Sequence, residues 1–428
     1  MNLLKERVEF LCKKRSLARK DLVEGLVTQA HFANILAERY PFADDLAKLI
    51  AARLSVSPEY LTHAALQDEV TLERAEEIFT RLSQPVPALA ETDVNELDDK
   101  NDALTIELTT ALMKAVYYQQ INNGDAYEYI HRTYLHYYLE KFGREDDPDL
   151  PIPLKKALFL YKIQHYRSKN QYFEALNNSQ RLSTLVEKGS EIWLTVQNFL
   201  MEASVYSKQY ESAKAIYEQT MQYVYSERLY HRLSGQHLAY SGCCFAMGRY
   251  EEALLALSMA EAHLVYTPSP GDLFPSIMNN RIIMLTHLGE LDKASDEIAR
   301  FEELAQQETD EMKQLLAPLL LIYRCEVAFA SKNWGLLSQG LSLLASYPLT
   351  EDQQRTAVFY ESQLALSSDK REAFIEAALS CLPYFEQTQQ TMRLEQLYET
   401  LAVASEDSRR YKESALYYRK LVYLLRNK

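Results

Sequence analysis

Residues 28–36, TQAHFANIL, combine polar side chains that can read DNA bases with apolar ones that can anchor a helix. Gln29 and Asn34 can each form a bidentate hydrogen bond with the edge of an adenine, and Ala30 can contact a thymine methyl group. Four further side chains suit the phosphate backbone, namely Arg19, Lys20, Thr28 and His31. These residue types and their spacing predict recognition of double-stranded DNA.

A helix-turn-helix would place this stretch in a major groove. The pattern predicts its two helices at residues 19–25 and 28–37, with the Thr28 hydroxyl as a cap and with Phe32, Ile35 and Leu36 packed inward. Three amphipathic segments accompany this pair, namely residues 3–14, a helix started by Pro41 in PFADDLAKLIAARLSV, and SPEYLTHAAL. We therefore predict a compact five-helix front domain over residues 1–65, followed over residues 66–100 by a linker with one helix at about 69–83.

The net charge of the whole chain, −14, is unusual for a DNA-binding protein. The charge is unevenly distributed, however. Residues 1–65 contain ten Lys or Arg against eight Asp or Glu, a net charge of +2, so the remaining 363 residues carry −16. The acidity therefore belongs to the later part of the chain and does not exclude DNA binding by the front domain.

The composition favours an all-α protein. Of 428 residues, 47% are hydrophobic, while Gly (11) and Pro (13) are scarce. No apolar run reaches the roughly 18 residues that cross a bilayer, and the N-terminus is charged too early for a signal peptide, so we expect a cytoplasmic protein without a membrane partner. The five cysteines show no ligand spacing, and we expect reduced, mostly buried thiols.

No catalytic motif is present, so we expect no enzymatic activity, no cofactor and no metal site. His131 and His136 are five residues apart and do not share a helix face well. They belong to a tyrosine-rich segment, YEYIHRTYLHYYLEKF at 127–142, which can fill a core between helices or form a stacking platform for bases. The segment is not basic, which favours the core.

A short pattern recurs along the later chain, an aromatic or apolar anchor residue followed three positions later by a small one. Successive anchors lie 36 to 43 residues apart. The clear copies are QYFEAL (Tyr172, Ala175), QYESAK (Tyr210, Ala213), RYEEAL (Tyr250, Ala253) and ELDKAS (Leu291, Ala294); NWGLLS (Trp334) and RYKESA (Tyr411) are weaker, and DKREAF (Lys370, Ala373) is weaker still.

Amphipathic segments of helix length precede and follow each anchor, which predicts a stack of antiparallel helix pairs. The small residue lets the two helices approach closely. This pattern resembles the tetratricopeptide repeat, over roughly residues 152–428, with a less regular pair at 101–142. We therefore predict an all-α chain in which the front domain precedes a tetratricopeptide-type right-handed superhelix at 101–428, the repeat region. A non-repetitive helical bundle is the alternative.

In stacked pairs the first helix of each pair lines the concave surface. The outward positions about 15, 12, 8 and 5 residues before each anchor are therefore candidates for ligand contact. They yield Gln164, Arg167, Thr195, Asn198, Glu202, Ser276, Asn279 and Glu326. Asn198 and Asn279 occupy the same repeat position, and an Asn side chain can both donate to and accept from an extended peptide backbone. Glu202 and Glu326 would attract an amine, and Arg167 a carboxylate.

The stretches ARKDLVEGLVTQAHFANIL and YPFADDLAKLIAARLSVSPEYL resemble the five-helix domain of the phage-repressor-like (XRE) family. That family usually has Gln where Arg19 stands, Ala at Val23, Gly at Val27 and Glu at Leu36. An XRE-like domain followed by tetratricopeptide repeats resembles the RRNPP group of peptide-pheromone receptors, and its NprR/PlcR branch most of all. The resemblance implies a homodimeric, cytoplasmic transcription regulator that binds a palindromic operator and a short signalling peptide. It also implies that asparagines in the groove of the repeat region bind the peptide backbone.

Two other readings share this architecture. The repeat region could act mainly by binding a partner protein, such as a response regulator, with a vestigial or dimerising front domain. A phage-borne lysis–lysogeny receptor would differ only in its genomic setting.

Overall fold

The computed structural model describes residues 3–62, 69–83, 91–97, 103–121, 123–142, 150–267, 270–307, 309–388 and 390–426. The residues so described are helical or irregular and contain no strand. The chain forms two compact units. The first comprises Met1–Gly248 with Val265–Pro268, and the second comprises Arg249–Leu264 with Ser269–Lys428.

Five helices form the front domain within the first unit. They are α1 (Leu3–Lys14), α2 (Arg19–Val23), α3 (Gln29–Leu36), α4 (Asp44–Leu54) and α5 (Pro58–Thr62). Helix α4 begins at Asp44 and not at Pro41 as predicted, because Ala43 is its N-cap and Phe42 packs against the core instead of starting a turn. The core of the domain contains the apolar faces of α2, α3 and α4, including Leu22, Phe32 and Ile50.

Helix α8 joins the front domain to the rest of the first unit. The intervening and following elements are α6 (Glu69–Leu82), α7 (Glu91–Asn95), α8 (Leu104–Gln120), α9 (Gly124–Ile130), a π-helical turn (His131–Leu135) and α10 (His136–Phe142). Every residue of α8 from Leu104 to Tyr118 is buried. A helix that is buried on all sides needs neighbours all round, and α8 packs against α6, α9 and the first repeat helix, α11 (Ile152–Ser168).

A buried ion pair links the front domain to α8. The Arg7 Nη2 atom lies 2.8 Å from the Glu107 Oε2 atom, and neither side chain is more than 3% exposed. The Tyr60 hydroxyl donates to the same carboxylate at 2.7 and 2.9 Å. Burial raises the pKa of Glu107 to about 7, although Arg7 and the Tyr60 hydroxyl act in the opposite direction. Three elements of the first unit, α1, α5 and α8, therefore meet at one charged cluster, the Arg7–Glu107–Tyr60 bridge.

The tyrosine-rich segment also packs against the front domain. The ring centroid of Phe10 lies 5.4 Å from that of Tyr134, 5.4 Å from that of Tyr137 and 5.0 Å from that of Tyr138. Tyr138 is fully buried. These rings fill the core between α1 and α10, so the interpretation of the segment as core is confirmed.

The helices that form the antiparallel pairs follow α10. In the first unit they are α11 (Ile152–Ser168), α12 (Tyr172–Leu185), α13 (Glu191–Tyr206), α14 (Tyr210–Ser226) and α15 (Leu233–Ala246). In the second unit they are α16 (Tyr250–Ala262), α17 (Pro270–His287), α18 (Leu291–Ala305), α19 (Asp310–Ala330), α20 (Trp334–Leu344), α21 (Glu351–Ser367), α22 (Arg371–Thr388), α23 (Thr391–Asp407) and α24 (Tyr411–Arg426). Two 3-10 turns lie at Tyr230–Arg232 and His263–Tyr266.

The predicted anchors mark helix starts. Tyr172, Tyr210, Tyr250, Leu291, Trp334 and Tyr411 are each the first residue of a helix. A left-handed residue lies two positions before each of these starts, and before Arg371 as well, namely Asn170, Lys208, Gly248, Gly289, Lys332, Asp369 and Arg409. The same turn therefore recurs seven times, which shows that the helix pairs are true repeats.

One copy of the pattern was placed one residue too early. The predicted anchor Lys370 precedes the helix, which begins at Arg371. The predicted small contact Ala373 is exposed, whereas Phe374 is fully buried in the position that Ala175 and Ala253 occupy in other repeats. The pattern predicts a small residue at this contact, whereas this repeat fills it with the aromatic ring of Phe374.

Candidate functional site

Helix α3 presents its polar face outward. The Thr28 hydroxyl accepts a hydrogen bond from the His31 amide at 3.2 Å, which is the predicted N-cap. Phe32, Ile35 and Leu36 are each 2% exposed, whereas Gln29 and Ala30 are exposed. The orientation of the helix is therefore as predicted, and its N-terminal end can reach base edges.

Asn34 is held by a residue beyond the helix. Its Oδ1 atom accepts a hydrogen bond from the Arg39 guanidinium at 3.4 Å, and the ring of His31 stacks on Tyr40 with centroids 5.3 Å apart. The chain returns to the helix because Glu38 adopts a left-handed conformation, φ 59°. Sequence reasoning missed Arg39 and Tyr40, since neither lies within the periodic part of the helix. To read a base, Asn34 must replace this long hydrogen bond with hydrogen bonds to the base.

The two cations expected at the phosphates differ in their surroundings. Lys20 is exposed, whereas Arg19 forms an ion pair with Glu9 of helix α1 and its side chain is 49% exposed. Glu9 therefore compensates part of the charge that Arg19 would offer to a phosphate.

Arg53 fixes the turn between α2 and α3. Its guanidinium donates to the carbonyl oxygens of Leu22 and Glu24, each at 2.8 Å, and to that of Asp21 at 3.2 Å. In a five-residue helix most carbonyl groups lack a hydrogen-bond donor within the helix. The Arg53 guanidinium provides donors for these carbonyl groups. The turn itself contains Gly25 in a left-handed conformation, φ 71°.

We expect the substitution Arg53→Met to lower the free energy of unfolding by about 1 kcal/mol, because exposed hydrogen bonds of this kind contribute modestly. DNA affinity is expected to fall further than stability, since α3 loses its fixed angle to α2. Thermal denaturation and a DNA titration measure the two effects. The control is Lys48→Met, an exposed change in the same helix. Equal DNA binding by the two variants would contradict the positioning role.

Three of the predicted groove residues meet in the first unit. The Arg167 guanidinium donates to the Glu202 Oε2 atom from Nε at 2.7 Å, and to the Gln164 Oε1 atom from Nη1 at 2.8 Å. The Arg167 guanidinium carbon also lies 4.6 Å from the centroid of the Phe199 ring. Helices α11 and α13 are the first helices of two neighbouring pairs, and they bring these residues together. The sequence suggested separate attractions for a ligand carboxylate and a ligand amine, but here the two charges compensate each other.

A buried acceptor lies on the same helix face as Glu202. The Oδ1 atom of Asn198 is buried and has no hydrogen-bond partner among the described residues. One turn earlier, the Thr195 hydroxyl donates to the Glu191 carbonyl oxygen at 3.1 Å. A buried amide oxygen without a partner costs free energy, so Asn198 is suited to accept from a ligand.

Gln236 on α15 has the same property and was missed. The side chain is fully buried, and neither its Nε2 nor its Oε1 atom has a hydrogen-bond partner among the residues that the structure describes. The positions selected by spacing in this helix are Gly235, Leu238, Gly242 and Phe245, all non-polar. Gln236 lies 14 residues before Tyr250 and so one residue outside the selected register.

A cluster of tyrosines and histidines joins α11, the helix of Gln164, to α9 and the π-helical turn. The Tyr127 hydroxyl is 2.9 Å from His165 Nδ1, and the Tyr161 hydroxyl is 2.7 Å from His131 Nδ1. The two hydroxyls are 3.3 Å apart. Burial lowers the pKa of His165 to about 4 and also lowers the pKa of His131, so burial favours the neutral form of both imidazoles. Within the described ranges, no three His, Cys, Asp or Glu side chains are grouped so as to hold a metal ion.

Two of the three predicted residues of the second unit, Asn279 and Glu326, contact neighbouring helices. Asn279 accepts from the Tyr323 hydroxyl and donates to Asn280 at 3.0 Å. Glu326 accepts from the Tyr360 hydroxyl and lies 3.8 Å from the Arg393 guanidinium. Ser276 is exposed. Asn279 therefore differs from Asn198, although the two occupy the same repeat position.

The described helices include none that is long and apolar enough to cross a membrane. No protein-family model matches the sequence, and no curated protein matches it. Solved structures do resemble it. A Rap protein complexed with competence and sporulation factor has 13% sequence identity and a TM-score of 0.52, and the match covers 83% of this chain and 97% of the Rap chain.

Two further structures show weaker similarity, each at 13% identity. Bacillus thuringiensis PlcR in complex with the peptide PapR7 and DNA has a TM-score of 0.32, and the match covers 81% of this chain and 100% of PlcR. The APC/C heterotetramer Cut9–Hcn1 has a TM-score of 0.35, and the match covers 90% of this chain and 74% of that chain. The recurring helix pairs and the likeness to the Rap protein establish the fold as all-α, with helical repeats of the tetratricopeptide type.

Proposed function

We propose that this chain is a homodimeric, cytoplasmic transcription regulator that binds DNA through its front domain and is controlled by a short signalling peptide bound to the repeat region. The observation that carries the proposal is the orientation of α3, which buries Phe32, Ile35 and Leu36 and leaves Gln29 and Ala30 exposed at its N-terminal end. The net charge of +2 on residues 1–65 supports contact with phosphates.

Buried amides support the choice of a peptide as ligand. Asn198 on α13 and Gln236 on α15 each keep a buried amide atom without a hydrogen-bond partner among the described residues. Helices α13 and α15 pack against each other within the first unit. A peptide backbone offers an N–H and a C=O at every residue, so two such amides can hold an extended segment regardless of its side chains. The adjacent Arg167–Glu202 pair would then favour a peptide that carries both charges.

The bridge between Arg7, Glu107 and Tyr60 supports communication between the two functions. It fixes α1 and α5 of the front domain to α8, which in turn packs against α11. A peptide that binds one arrangement of the repeat helices better than another would shift the placement of the front domain only by its differential affinity for the two states.

The test is binding of the purified chain to DNA from its own locus, with and without candidate peptides encoded nearby, over a series of salt concentrations. We expect salt-sensitive binding whose affinity changes when the peptide is present. Absence of DNA binding under every condition would refute the proposal that the chain is a transcription regulator. If a response regulator were bound instead, the repeat-scaffold alternative would replace it.

Asn198→Leu separates the ligand from the fold. Because the Asn198 Oδ1 atom is buried without a partner among the described residues, its removal is expected to leave thermal stability unchanged or to raise it by up to about 1 kcal/mol. Peptide affinity is expected to fall about tenfold or more, since one backbone contact is lost. Calorimetric titration measures the peptide affinity, and a thermal melt measures the stability. The matched control is Asn178→Leu on α12, whose Oδ1 atom is also buried without a partner among the described residues and whose Nδ2 atom donates to the Glu174 carbonyl oxygen within its own helix. Loss of stability without loss of affinity in Asn198→Leu would exclude a ligand role.

A further inference from the structure

Helix α24 carries an apolar stripe that faces away from the core. Its members recur every four and three residues, and they are Tyr411, Ala415, Tyr418, Val422 and Leu425. Tyr411 is 64% exposed, Tyr418 39%, and Val422 and Leu425 46% each. The opposite face of the helix packs inward through Tyr417, Leu421 and Leu424. The helix therefore has one apolar face that packs within the described chain and an exposed apolar stripe, beside which Leu416 and Tyr423 are also exposed.

The spacing of the exposed stripe is that of a coiled-coil seam. Alternating steps of four and three residues keep side chains on one line along a helix that packs against another helix. Single exposed apolar residues are ordinary on protein surfaces. A line of five at heptad spacing over the whole length of α24 has the pattern of a surface that docks another helix.

Basic residues follow one edge of the stripe. Lys412, Arg419 and Arg426 recur every seven residues and are exposed. In heptad terms they occupy the position beside the seam that forms ion pairs between helices. Among the described residues, neither Arg419 nor Arg426 forms an ion pair. This edge therefore offers cations to a neighbour.

Acidic residues follow the other edge, supplied by α23. Glu399 and Glu406 are exposed and also lie seven residues apart. The Tyr418 hydroxyl lies 3.4 Å from the Glu406 Oε2 atom, which places Glu406 level with Tyr418 and Arg419. Helices α23 and α24 form an antiparallel pair, so Glu399, seven residues before Glu406, lies level with Arg426, seven residues after Arg419.

We infer that this surface binds a second copy of the same chain, with the two α24 helices side by side and parallel about a two-fold axis along the seam. A rotation about that axis places the acidic edge of one copy opposite the basic edge of the other, so Arg419 faces Glu406 and Arg426 faces Glu399, twice each. An antiparallel pairing would place like charges opposite each other. The surface is thus complementary to itself in one orientation.

The inference deepens the homodimer of the proposed function, but it depends on neither DNA nor peptide. Sedimentation velocity of the full chain without either ligand therefore tests it separately from the regulator. We expect a dimer whose dissociation constant rises ~10-fold or more in Val422→Asp, because an aspartate at the centre of the seam is desolvated without a partner. The matched control is Leu255→Asp, a 63% exposed leucine on α16, which should leave the dimer unchanged.

Charge reversal tests the orientation. The variant Arg419→Glu/Arg426→Glu and the variant Glu399→Arg/Glu406→Arg should each be monomeric alone, since the four positions that face each other in each variant then all carry one sign. An equimolar mixture of the two should restore a dimer, because every edge then meets its opposite. Circular dichroism checks the folding of these exposed variants. A monomeric wild-type chain, a Val422→Asp dimer as tight as wild type, a dimer equally weakened by Leu255→Asp, or a mixture no more dimeric than its components would each overturn the inference.

Discussion

Glu107→Leu is expected to lower the free energy of unfolding by about 3–5 kcal/mol, the largest effect on stability that we predict for a single substitution. The Arg7 side chain is fully buried, and its guanidinium lies 2.8 Å from the Glu107 carboxylate. Removal of the carboxylate leaves a charge in the core without compensation. The Tyr60 hydroxyl, which donates to both Glu107 oxygens, loses its acceptor at the same time.

The double variant Arg7→Met/Glu107→Leu distinguishes an ion pair from simple packing. It removes both charges and keeps most of the apolar volume, so it should be more stable than Glu107→Leu alone. Urea denaturation of the wild type, both single variants and the double variant completes the cycle. If the two single losses simply added in the double variant, Arg7 and Glu107 would not act as a pair, and the bridge would not hold the front domain to α8.

The repeat spacing and the front-domain helices were predictable because their signals are local. An anchor such as Tyr210 and its small partner Ala213 lie within one helical turn of each other, and a left-handed residue precedes every such start. The exceptions arose where a different local solution was used. Phe374 replaced the small residue in one repeat, and Ala43 took the N-cap position after Pro41.

The contacts of the candidate site were much less predictable, because they join distant parts of the chain. Arg7 and Glu107 are 100 residues apart, and Arg167 and Glu202 are 35 apart. Spacing could place Arg167 and Glu202 on facing helices, but it could not show that they neutralise each other. Gln236 was missed for another reason. A shift of one residue in register rotates a helix by about 100° and moves a buried amide out of the selected face.

Gln29→Ala/Asn34→Ala is expected to abolish sequence-specific DNA binding. Each bidentate contact with an adenine contributes about 1–3 kcal/mol of discrimination, so the double variant should lose roughly 30-fold to 10⁴-fold in affinity for the preferred sequence. Binding to unrelated DNA should change little, because phosphate contacts supply it. The stability of the front domain should hold, since Gln29 is exposed and, among the described residues, the Asn34 side chain accepts only the 3.4 Å hydrogen bond from the Arg39 guanidinium.

The preferred sequence can be selected from a pool of random duplexes with the wild-type chain and then titrated with each variant. The control is Lys20→Ala, an exposed cation that should weaken selected and unrelated DNA alike and reduce the salt dependence by about one phosphate contact. A double variant that still prefers the selected sequence would assign base recognition to other side chains, with Arg39 the first to examine because it already contacts Asn34. A uniform loss, like that of Lys20→Ala, would place Gln29 and Asn34 on the phosphates. Only a loss confined to the selected sequence makes α3 the element that reads bases.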